Sequence, residues 1–483
     1  MPVFKDHSFR FGASAQSAEE PPYLIPQAIR FAKQDSAYMY RNTDTTFQNK
    51  FTISLWWKRG AQDRQYLLTW RDKRGSGYAY SGLWTSSDQL IFFEYSDHSA
   101  HGLNQKAYYS TNRVLVDSSA WYHIVMSIDY SDTVADEAVK MYINGERQTS
   151  LANSLNNTSY AGQSQSTGSP NHLGIGYLPA LGTTDIADCL MADIFFIDGQ
   201  ALTPGDFGKF DTHGNWIPIE YEGTFGNESF HIDGRDSSDL GDDESGQGND
   251  FTTTGLAVND QMTHDTPNNV FASIMPHNAL MHGALHQNNQ RIVMSGDEKF
   301  KFDQELSFNS YCEVRIDAQS SNGGTIGFGT FGGDDDDNSV VFQTNYSSGY
   351  IYLNGGNASA NIGGTVSVGD IIMMAYNPTT RKWWVGVNGT WRNSGNPAGG
   401  TGEVYAHAAD AFEAHAGDVI TWGGWKGSAN GLTLTWNMGQ DSTFCGQESA
   451  GSNEDSAGIG SFKYAVPSGF YANCTRNLFN QGS

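Results

Sequence analysis

The sequence predicts an all-β protein made of two antiparallel β-sandwich domains in series, with little helix. Three observations carry this. Apolar residues alternate with period two in segment after segment, as half-buried strands require. Dipeptides such as Asn144-Gly145, Asn354-Gly355 and Asn388-Gly389 close these segments with the positive φ angles that tight hairpins need. The chain of 483 residues is too long for one core, and its 13% of aromatic residues suffice to fill two.

The elements follow in order. In residues 51–58 (FTISLWWK), Phe51, Ile53, Leu55 and Trp57 share one face, and Thr52, Ser54 and Lys58 take the other. Residues 121–130 place Tyr122, Ile124, Met126 and Ile128 on an apolar face, and residues 139–149 do the same with Val139, Met141 and Ile143. Residues 190–200 repeat the pattern up to Asp198-Gly199, and Thr203-Pro204 then opens a helical turn. These segments form a first sandwich over 34–222. Residues 223–300, including GRDSSDLGDDESGQGNDF, are acidic and Gly-rich and read as a connector, with the best local chance of a short helix at 272–289. Strand patterns return from 301, in YCEVRID, VVFQTN, GYIYLNG, DIIMMAYN, KWWVGVNGTW and GLTLTWNMG, giving a second sandwich over 301–445. Residues 446–483 read as a Gly/Ser/Asn-rich C-terminal tail, and 1–33 as an extended N-terminal arm.

Composition narrows the function. The 28 Lys and Arg against 53 Asp and Glu leave a net charge of −25. That sign repels phosphate backbones and argues against a nucleic-acid partner. Apolar runs fall well short of the roughly 20 residues that span a bilayer, so no membrane insertion is expected. The first residues lack a secretory signal pattern. The four cysteines are scattered without a C-x-x-C pair, against a typical zinc site or a disulfide framework. Cys445 and Cys474 read either as a pair or as free thiols.

Several stretches carry a resemblance. Residues 121–149 (WYHIVMSIDYSD through VKMYINGERQT) resemble the Trp-x-His strand and Y-I-N-G hairpin of laminin-G or concanavalin A-like jelly rolls. Residues 189–233, continued by 236–251 and DTPNNVF at 265–271, resemble a region shared by tail-fibre and other virion proteins of bacteriophages. Residues 369–391 and the closing NMGQDSTF at 437–444 resemble a SPRY-type domain, and 464–478 resembles the end of such phage chains. The resemblance implies a phage virion protein, made in the host cytoplasm and released by lysis. It also implies an arm at 1–33 that attaches to other virion proteins. Because multivalency raises weak single-site affinity, a homo-oligomer, most simply a trimer, is expected.

Catalysis lacks a signature. The E-x-D-x-x-E strand of jelly-roll glucanases is missing; the nearest string, Glu313 to Asp317, has the wrong spacing and reads as solvent-facing strand residues. No G-x-S-x-G elbow or phosphate loop occurs. His277, His282 and His286 lack the glutamate of a zinc helix. Asp334, Asp335, Asp336 and Asp337 form a loop that reads as a solvated tip or as oxygen ligands for a structural calcium; no other cofactor is expected. Asp242, Asp243 and Glu244 leave the same two readings open, and the resemblance of this stretch implies a structural role. Trp391, Tyr350 and Tyr352 are the aromatic candidates for stacking on a sugar, or else core residues. The expected function is adhesion without catalysis: a tail-fibre or capsid-surface subunit binding host-surface glycan or protein. A glycan depolymerase and a cellular lectin are the alternatives.

Overall fold

In the computed structural model the described residues are 23–482, except 26, 44–48, 61–63, 75–76, 97–103, 157–170, 179–185, 263, 277–282, 297, 321–323, 332–338, 345–349, 354–355, 362–365, 407–418 and 427–430. They form two compact units, one within Ser17–Asn268 and the other within Asn269–Ser483. Each is built from two large, almost wholly antiparallel sheets.

The first sheet of the first unit runs, in spatial order, Glu146–Arg147, Val139–Ile143, Tyr122–Asp129, Lys50–Arg59, Cys189–Asp198, Ala28–Phe31 and Gln261–Met262. The second runs Leu151–Asn156, Asn104–Val114, Gln89–Ser96, Gly77–Ser86, Gln65–Arg74, Asn171–Ile175, Tyr38–Thr43 and Thr252–Thr254. The predicted faces meet in one core: Phe51, Ile53, Leu55 and Trp57 lie with Tyr122, Ile124, Met126 and Ile128, and with Val139, Met141 and Ile143. Leu68, Trp70, Leu83, Phe92 and Leu173 close it from the second sheet. Asn144 and Gly145 have φ of 50° and 79°, as their hairpin requires. Glycine is needed at 145 twice over, since a Cβ there would lie 2.4 Å from the Trp216 ring.

The opposite face of the first sheet departs from expectation. Thr52, Ser54 and Lys58 are as buried as the core face. Their cover is the chain from about 200 to 265, most of which composition reads as a connector. Thr52 Oγ1 donates to the Gln200 carbonyl (2.8 Å) and accepts from Leu202 N–H (2.8 Å). Phe230–Ile232 adds a strand beside Cys189–Asp198, and Thr252–Thr254 extends the second sheet. Asp243 holds this stretch locally, accepting the N–H groups of His231, Ser245 and Asn249. Low hydrophobicity here reflects a cover held by polar pins rather than a free linker. The N-terminal boundary shifts as well, because Ala28–Phe31 pairs with Cys189–Met191 inside the first sheet.

In the second unit, one sheet runs Ala284–His286, Arg291–Met294, Leu432–Asn437, Ser310–Gln319, Ile371–Asn377, Lys382–Val387 and Thr390–Trp391. The facing sheet runs Glu298–Lys301, Thr421–Lys426, Thr325–Gly329, Ser339–Gln343, Tyr350–Leu353 and Gly356–Asn361. Asn388 and Gly389 take the expected positive φ, and Thr390 pairs back with Val387. Residues 284–286 form a strand, which overturns the helix expected at 272–289 for its described part. The final segment is no tail. Tyr471–Ala472 joins the central strand Ser310–Gln319 in parallel, and Phe462, Phe470 and Cys474 are buried. All four cysteines are free thiols; burial pushes that of Cys474 up to about 12.

Candidate functional site

The residues singled out from sequence do not assemble into one site. Asp334–Asp337 lie outside the described residues, as do His277 and His282. Tyr350 and Tyr352 fall on the strand Tyr350–Leu353, but their side chains lie outside the described residues. Trp391 is half-buried and packs edge-on against the ring of Tyr311, centroids 6.3 Å apart. Glu313, expected to face solvent, is fully buried. Its two oxygens accept four hydrogen bonds, from Tyr311 Oη (3.0 Å), Asn437 Nδ2 (3.3 Å), and the backbone N–H groups of Lys463 (2.9 Å) and Tyr464 (2.8 Å). Burial pushes its carboxyl up to about 7. Asp317 accepts from Arg315 Nη1 (2.7 Å) and Thr435 Oγ1 (2.6 Å), with Arg291 Nε at 3.1 Å. Both carboxylates are committed to structure. Among the described residues no group of three or more His, Cys, Asp and Glu side chains has the arrangement to hold a metal ion.

The motifs behind the resemblance prove to be pins for the outer face of the first sheet. His123, of the Trp-x-His strand, is buried between the rings of Trp56 (4.7 Å) and Trp216 (5.9 Å). Trp216 Nε1–H donates to its Nδ1 (2.8 Å), so the proton sits on Nε2, which contacts Ser54 Oγ (2.9 Å). Burial lowers the His123 pKa to about 3, keeping the ring neutral. Trp121 Nε1 (3.2 Å) and Lys58 Nζ (2.8 Å) both reach Asp265, in the DTPNNVF stretch. Arg30 pairs with Asp260 (3.3 Å), and Arg41 with Glu228 (3.0 Å). The buried Arg30 and Lys58 and the half-buried Arg41 thus each meet a carboxylate from the covering segment, as burial of charge demands, while the buried Arg59 pairs with Asp88.

The opposite side of the sandwich offers different chemistry. On the outer face of the second sheet, four adjacent strands carry Tyr66, Trp84, Phe93 and Tyr108. Tyr66 and Trp84 stack at 5.2 Å and 8°, and Phe93 meets Trp84 edge-on at 5.9 Å. Tyr66, Phe93 and Leu178 are buried, while Trp84 and Tyr108 stay half-buried at the rim. The exposed Arg64 lies with its guanidinium 5.0 Å from the Trp84 ring centre, a cation–π contact. Trp84 Nε1–H has no acceptor among the described residues. Toward the other end of the sheet, Tyr38 packs on Tyr177 (4.2 Å) and lies 6.3 Å from Tyr40. This aromatic ridge can present ring edges and a guanidinium to a ligand with apolar faces and hydroxyl or acid oxygens. A sequence signal existed in QYLLTW, GLW, LIFFEY and AYYS, where adjacent aromatic and aliphatic residues mark strands apolar on both faces.

Comparison with known proteins agrees with the first sandwich. Residues 32–180 match the model of the concanavalin A-like lectin/glucanases superfamily, a laminin-G-type family, and the fold of this region is concanavalin A-like. Comparison with curated protein sequences finds no match. Solved structures with similarity include a heptameric SAP-like pentraxin of Limulus polyphemus, 15% identical over 38% of this chain and 80% of that one, with a TM-score of 0.27. Another is the LG4-5 pair of the mouse laminin α1 chain, 10% identical over 87% of this chain and 91% of that one, TM-score 0.29. The SPRY domain of human HERC1 is 14% identical over 30% of this chain and 87% of that one, TM-score 0.24.

Proposed function

We propose that the chain is a non-catalytic recognition protein that binds host-surface glycan through the aromatic ridge of its first sandwich. The carrying observation is the half-buried Trp84, with Arg64 over its ring, in a region that matches a lectin and glucanase superfamily model. The first sheet's outer face is covered by the chain itself, and on the second sheet's outer face the half-buried Trp84 and Tyr108 are the members of the cluster that reach solvent to meet a ligand. The commitment of Glu313 and Asp317 to structural hydrogen bonds supports binding without hydrolysis. On the resemblance of residues 189–271 to phage virion proteins, the chain acts as a tail-fibre or capsid-surface subunit. It is then a homo-oligomer, most simply a trimer, in which repeated weak sites reinforce one another.

The test is calorimetry of the full chain against a panel of bacterial surface polysaccharides. Trp84→Ala should weaken binding about fivefold or more, the scale of one lost stacking contact of roughly 1 kcal/mol. Equal affinity would remove the ridge from the site, and release of new reducing ends would overturn the non-catalytic reading. Cryo-electron microscopy of intact particles tests the virion placement; absence of the chain from particles would refute it.

A further inference from the structure

The second unit holds a set of buried polar atoms with no partner among the described residues. They are Asn288 Oδ1, both amide atoms of Asn289, Gln304 Oε1, Asn473 Nδ2 and Trp436 Nε1. All five residues are buried, Asn289, Trp436 and Asn473 completely. Hydrogen bonds place most of these residues along one extended segment, 270–274. Ile274 N–H donates to the Asn289 carbonyl, Ala272 N–H to that of Asn473, and Gln304 Nε2 to that of Val270. Trp436 N–H donates to the Gln290 carbonyl, and its ring packs on Phe302, which bridges to Ile274. The turn that presents Asn288 and Asn289 is itself unusual. Gln287, Asn288 and Asn289 have φ of 53°, 55° and 62°, three consecutive left-handed residues that carry side chains.

Three of the six atoms accept and three donate. An ion of either sign would satisfy only one half of the set, whereas water both gives and takes. We infer that segment 270–274 is flanked by a file of ordered internal waters that joins the Asn288-Asn289 turn to Trp436, Gln304 and Asn473. Buried waters make about three hydrogen bonds each, so six atoms call for at least two molecules. The file ties the last strand to the sandwich through Asn473, whose Oδ1 accepts from Trp422 Nε1 at 3.3 Å.

A crystal structure of the full chain at about 1.5 Å resolution tests this directly. Well-ordered water within hydrogen-bonding distance of Asn289 and at least two of the other residues is expected. An ion in that density, or side chains repacked to pair with one another, would overturn the inference. The variant Asn289→Gly gives an independent reading with a sign. Glycine relieves the left-handed backbone and removes both amide atoms, so a dry site would gain thermal stability. A hydrated site loses partners for its waters, and the melting temperature of the second unit should fall by several degrees. An increase would refute the file.

Discussion

Replacing Glu313 with glutamine changes one atom in the centre of the second unit. Each carboxylate oxygen accepts two hydrogen bonds, Oε1 from Tyr311 and Tyr464 and Oε2 from Lys463 and Asn437. Whichever way the amide turns, its NH2 faces two donors. The better choice sets NH2 at the Oε1 position, where the Tyr311 hydroxyl can rotate to accept. Tyr464 N–H is then orphaned, at about 1–3 kcal/mol. A net loss of about 2 kcal/mol is therefore expected at about pH 5, where the Glu313 carboxyl is already neutral and its hydroxyl oxygen can still accept from Tyr464. Hydrogen exchange of the peptide around 460–466 in the full chain reads it locally. At 1.4 kcal/mol per factor of ten, protection of Lys463 and Tyr464 should fall roughly 30-fold. The pH dependence supplies a second check. Burial raises the Glu313 carboxyl from 4.5 to about 7 in the folded state. Its contribution is therefore complete below about 4.5 and is lost as pH rises through 7, roughly 3 kcal/mol in all. The glutamine variant should lack that decline. Unchanged protection, or an identical pH profile, would refute the assignment of Glu313 as the anchor of the last segment.

The remaining predictions concern the first unit. Asp265→Ala strands the buried Lys58 ammonium and removes the acceptor of Trp121; denaturant titration should show a loss of about 3–5 kcal/mol, largely recovered in Lys58→Met/Asp265→Leu. Full stability in the single variant would refute the pin. His123 is lowered from 6.5 to about 3, so its contribution is present above pH 6.5 and lost as pH falls toward 3, up to roughly 5 kcal/mol. The first unit should thus weaken in acid while Glu313 weakens the second toward alkaline pH, which unit-resolved hydrogen exchange between pH 5 and 8 would separate.

How much was legible follows from the range of each interaction. Strand faces such as Phe51, Ile53, Leu55 and Trp57, and turns such as Asn144-Gly145, are set by alternation and by φ, both local properties, and the structure repeats them. The two-sandwich architecture follows from these together with chain length. Residues 223–268 misled because their stabilisation is long-range: composition records few apolar residues, and only the fold pairs Asp265 with Lys58 and Trp216 with His123. Glu313 misled for the same reason, since a carboxylate on a strand reads as exposed until three donors from two distant segments join the neighbouring Tyr311 on it. The aromatic ridge sits between. Its residues are visible in the sequence, yet which of Tyr66, Trp84, Phe93, Tyr108 and Trp391 is core and which is rim depends on sheet order and on what covers each face. Local periodicity determines elements; burial of polar groups and the open face of a sheet are decided only when the chain closes on itself.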